Sequence, residues 1–66
     1  MLIFEHSGHT FLFLFFIHVV NLNAPFHALV MTQNGEIMET NMDDIEISIV
    51  VKLWIRNKKL LEEAYA

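Results

Sequence analysis

The chain has 66 residues and a mass of 7.7 kDa, room for one small domain and not for two. It contains no cysteine, which excludes disulfides, thiolate nucleophiles and cysteine-held metal. Four Lys and Arg against eight Asp and Glu leave a net charge of −4, so nucleic acid is not an expected partner.

Charge is distributed unevenly. Residues 1–31 hold a single formal charge, Glu5, together with all six Phe, all four His and the lone Pro; the other eleven charges follow residue 31. The chain is treated as one domain, 1–66, with a composition break near residue 31. Residues 1–30 are apolar enough to suggest two other origins. One is a membrane segment, with residues 10–31 as the anchor. The other is an over-extended start, since Met31-Thr32-Gln33-Asn34-Gly35-Glu36 reads like the polar beginning of a water-soluble protein. The membrane alternative is weakened by Asn21, Asn23, Pro25 and His27, each costly in hydrocarbon, and by a short uninterrupted run, Phe11–Ile17. A cleavable export signal is disfavoured because Met1–His9 carries no positive charge.

In chain order, Leu2-Ile3-Phe4 reads as a first strand, closed by a turn at Ser7-Gly8. Residues 10–20 are apolar at odd and even positions alike, which fits a strand buried on both faces or a short buried helix. Asn34-Gly35 is the favoured pair for a two-residue type I′ hairpin. It would place Gln33 opposite Glu36, Met31 opposite Met38 and Leu29 opposite Thr40, with Leu29, Met31 and Met38 on a core face. Asn41-Met42-Asp43 is turn-like. From Asp44 to Arg56 every second residue is apolar: Ile45, Ile47, Ile49, Val51, Leu53 and Ile55. That alternation predicts a half-buried strand. Asn57 would then cap a short C-terminal helix with Leu60, Leu61, Ala64 and Tyr65 on its packing face.

Candidate chemistry is sparse. His6 and His9 flank the Ser7-Gly8 turn and are the best metal-ligand pair, although spacing alone does not make them converge. Asp43, Asp44 and Glu46, with Glu36 and Glu39, read as a solvated acidic edge that discourages sheet aggregation. Lys52, Trp54 and Arg56 would share one face of the long strand and form a small anion or nucleic-acid patch. No phosphate loop and no nucleophile elbow is present.

The reading is therefore a small α+β domain: a mostly antiparallel sheet with one short C-terminal helix, non-enzymatic and without a cofactor. A chain this short buries only about 60% of its unfolded surface and is marginal alone. At 55% hydrophobic residues and a mean hydropathy of +0.43, it has apolar surface to spare. The expected role is interaction or assembly, as a homo-oligomer or with a protein partner, in the cytoplasm. Phe11, Phe13, Phe15 and Phe16 are the expected interface. A small membrane-associated protein anchored by residues 10–31 is the alternative.

Overall fold

The computed structural model describes residues 2–65, with the side chains of Leu2, Leu61, Ala64 and Tyr65 outside the description. Five antiparallel strands run in chain order across one sheet, β1 (Leu2–His6), β2 (His9–Phe13), β3 (Ile17–Asn21), β4 (Ala24–Met31) and β5 (Ile37–Thr40). A single helix, α1 (Asp44–Tyr65), closes the described chain. The fold is α+β, as the composition and turn signals indicate. Every connection is a short hairpin, so each strand pairs with its sequence neighbour.

The turns account for the meander. Ser7 and Gly8 both have positive φ, +50° and +78°, the conformation of a type I′ turn joining His6 to His9. Leu14-Phe15-Phe16 breaks the long apolar run into two strands, which settles residues 10–20 as neither one buried strand nor a helix. The Asn34-Gly35 turn differs from the expected geometry. Only Gly35 has positive φ (+85°), its amide donates to the Thr32 carbonyl at 3.0 Å, and the Thr32 amide donates to the Glu36 carbonyl at 2.9 Å. This is a three-residue loop with glycine in the left-handed position. Register therefore starts one residue off, with Met31 opposite Ile37, and a bulge restores Leu29 opposite Thr40. Ile37 packs on the core, and Met38 is exposed where a core position was expected.

The largest correction concerns residues 44–56, which are helical. Asp43 is the N-cap, its Oδ1 accepting the Glu46 amide at 2.8 Å, and Asp44 and Glu46 place negative charge in the first turn. The helix turns Ile47, Val50, Val51 and Trp54 toward the sheet, at i, i+3, i+4 and i+7. Val50 and Trp54, which a strand would have placed among the charges, are completely buried. Ile45, Ile49 and Ile55, on the expected core face, are 76%, 47% and 51% exposed. Asn57 lies inside the helix and donates to the Leu53 carbonyl. Leu60 is exposed, and the expected contributions of Leu61, Ala64 and Tyr65 lie outside the described side chains.

The core sits between α1 and one sheet face. Phe11, Ile17, Val19, Leu29 and Met31 come from the sheet, Val50 and Trp54 from the helix, and Met42 from the turn before it. The Phe4 ring stacks on Phe11 at 4.8 Å, and Phe13 meets Trp54 edge-on at 5.8 Å. The indole N–H of Trp54 donates to the Gln33 carbonyl, tying the helix to the β4–β5 loop.

Candidate interaction surface

Alternation along the strands decides which side chains meet the helix and which do not. Phe11, Val19 and Leu29 point to α1, so their neighbours point to the opposite face, which carries no covering element among the described residues. Cross-strand register arranges that outer face in rows. Ile3 lies opposite Leu12, Leu12 opposite His18, and His18 opposite Val30. A second row runs Thr10, Val20 and Ala28. Ile3 is 55% exposed on this face; Phe26, 73% exposed, lies outside the paired register, with its ring 4.6 Å from that of His27. Leu12, Val20 and Val30 are half-buried only by their neighbours. The result is a mainly apolar strip across four strands, broken by His18 and Thr10 and flanked by Glu5, opposite Thr10, and Glu39, opposite Val30.

A polar centre occupies the other face, at the helix N-terminus. The Glu46 carboxylate accepts from His9 Nε2 at 2.9 Å and from Asn21 Nδ2 at 2.6 Å, and lies 3.4 Å from His27 Nδ1. Three strands thus contribute to one helix residue. The His9 hydrogen bond is the chief reason that Glu46 titrates below the ordinary glutamate range; desolvation opposes it, while Asn21 and the two histidines add to it. The other ring nitrogen of His9, Nδ1, lies 3.1 Å from the Ser7 carbonyl. Both ring nitrogens therefore lie within hydrogen-bond distance of an oxygen. Asn21 is fixed as well, since its Oδ1 accepts the amides of Asn23 and Ala24. The cluster clamps helix to sheet.

The residues singled out from sequence fall in several places. Phe11 is fully buried and cannot reach a partner, and Phe13 is half-buried with its ring against Trp54 on the helix-covered face. Phe15 is 81% exposed at the β2–β3 tip, with Phe16 beside it at 5.1 Å. The four do not form one surface. His6 meets Ser7 Oγ while His9 meets Glu46, so the two histidines are drawn to different partners. Among the described residues no three metal-ligating side chains converge. Trp54 is buried while Lys52 and Arg56 are exposed on the opposite side of the helix, so the basic–aromatic patch is not assembled. Among the acidic residues, Glu46 is drawn into the clamp. Among the described residues no helix is long and apolar enough to cross a membrane, and residues 10–31 form three strands of the sheet instead of an anchor helix.

Sequence reasoning missed Glu46, Asn21 and His27 as a unit, because they are separated by up to 25 positions and nothing local links them. It also missed the outer strip. Its signal was present in the two-sided apolar character of residues 10–20, once that run is divided at Leu14–Phe16.

A family of unknown function, DUF7723, matches residues 14–61, and the chain belongs to it. The matched stretch runs from the β2–β3 turn into α1 and crosses the composition break near residue 31. No curated protein and no solved structure matches the chain.

Proposed function

We propose that this member of the family is a non-catalytic assembly protein that stacks its uncovered sheet face on that of a second copy. One observation carries the reading. A single helix covers one face of a five-stranded sheet, and the other face presents Ile3, Leu12, Val20 and Val30 with no element over them among the described residues. Apolar side chains gathered on an uncovered face mark an interaction surface. A two-fold axis parallel to the sheet would lay one strip on the other, leaving both helices outside. It would also add burial to a chain too short to be firmly stable alone. The non-catalytic part rests on the sequence, which carries no phosphate loop and no nucleophile elbow. The same proposal sets the chain in the cytoplasm, where its acidic balance suits water.

Sedimentation of the chain at micromolar concentration without detergent is the test. The expected result is a mass of more than one chain, reduced when Leu12→Glu and Val20→Glu are introduced together. A folded monomer for the unmodified chain would overturn the reading. Recovery only in detergent would overturn it in favour of a lipid-facing role.

A further inference from the structure

Beyond the sheet face, the molecule has a second surface, and it is made of backbone. The type I′ turn makes His6 and His9 a hydrogen-bonded pair, so in the antiparallel ladder Phe4 and Phe11 bond likewise, while Ile3 and Glu5 do not bond to β2. The Leu22 amide donates to the Gly8 carbonyl at 2.8 Å, which fixes the same phase from the other side of β2. The N–H and C=O of Ile3 and Glu5 consequently point away from the sheet, along the open side of β1.

The two edges are unequal. Beside β4, β5 is only four residues long, carries a register shift, and gives way to Asn41. The Asn41 side chain accepts the Ala28 amide at 2.9 Å and donates to the Phe26 carbonyl at 2.6 Å, occupying the groups that β5 does not reach. That edge is short, bulged and capped, the usual protections against pairing. β1 has no Pro, no Lys and no bulge, and keeps five residues in unbroken register, with Glu5 its one formal charge. Its middle residue, Phe4, is only half-buried and forms the rim of the Phe11–Trp54 aromatic stack.

We propose that β1 pairs antiparallel with the β1 of a second copy, about a two-fold axis through Phe4. In this register Ile3 of each copy bonds Glu5 of the other, satisfying all four outward groups on each strand. Phe4 meets its own counterpart on the helix-covered face, so the aromatic stack continues across the junction. The self-complementarity is what selects a second copy: one short strand supplies both halves of the ladder. The product is a ten-stranded sheet with both helices on one side. Its axis is perpendicular to the sheet, whereas that of face stacking lies parallel to it, so the two contacts are compatible in one D2 assembly.

Two measurements test this contact separately from face stacking. Amide hydrogen exchange on the unmodified chain at micromolar concentration should show Ile3 and Glu5 protected about as strongly as Phe4. Exchange of both at free-peptide rates, with Phe4 protected, would overturn the proposal. The second is a chemically synthesised chain with an N-methyl group on the Glu5 amide, which removes an outward donor and leaves the β1–β2 ladder intact. It should have half the sedimenting mass of the unmodified chain with an unchanged circular dichroism spectrum; an unchanged mass would overturn the proposal. Loss of mass on Leu12→Glu/Val20→Glu reports on the sheet face alone, so either contact can fail without the other.

Discussion

Gly35 is where a single side chain would do the most local damage. Its φ of +85° is a region that β-branched residues resist, and a Cβ built there would lie 3.4 Å from Val51 Cγ1 and 3.7 Å from Ile55 Cδ1. Gly35→Val should therefore cost more than about 1 kcal/mol, and Gly35→Asn less, because Asn tolerates the left-handed region. Urea denaturation of the two variants checks the order. Glu46 governs the response to acid. Its carboxyl titrates below the ordinary range in the folded chain, so its contribution is complete above the unfolded-state glutamate value and is lost as pH falls through the lowered one. Glu46→Gln should be less stable than the parent at neutral pH, and the gap between their urea midpoints should close as the buffer is acidified. A gap that widened toward low pH would contradict the clamp.

At the scale of the element, α1 is the instructive case, because its sequence carries two periodicities at once. Counting every second residue from Ile45 gives an apolar row, and counting Ile47, Val50, Val51 and Trp54 gives a helical stripe. The stripe prevails because it contains Trp54 and Val50, whose burial is complete, and because the strand reading would leave the sheet face uncovered on both sides. The helical start was legible in Asp43-x-x-Glu46, a capping pattern ahead of an apolar run. The prediction follows directly. Val50→Asp should abolish folding by placing a charge in the core, whereas Ile49→Asp should change stability by no more than about 0.5 kcal/mol. Thermal melts of the pair distinguish helix from strand, since a strand would reverse the ranking. Trp54→Phe should lose the bond to the Gln33 carbonyl and part of the packing, at a cost of about 1–3 kcal/mol.

At the scale of the whole molecule, one layer of helix on one layer of sheet leaves one sheet face uncovered among the described residues, and that face carries Ile3, Leu12, Val20 and Val30 among a few polar side chains. That imbalance is the ground for the proposed face stacking, and the proposal predicts concentration dependence. The melting temperature should rise as protein concentration is raised from about 1 to about 100 μM, because dilution removes burial that the monomer lacks. A melting temperature independent of concentration would indicate a self-sufficient monomer. The amino-acid sequence by itself determined the α+β class, the Ser7-Gly8 turn, the loop at Asn34-Gly35 and the excess of apolar surface. Each of these follows from residue type and near neighbours: glycines that accept positive φ, β-branched and aromatic strand formers, and too short a chain to hide its hydrophobes. Tertiary structure decided what these local signals left open. Whether Asp44–Arg56 was strand or helix depended on which arrangement could cover Phe11, Val19 and Leu29, residues at least 15 positions away. The meeting of Glu46 with His9, Asn21 and His27 depended on the helix crossing three strands, a juxtaposition that pairing along the chain cannot encode.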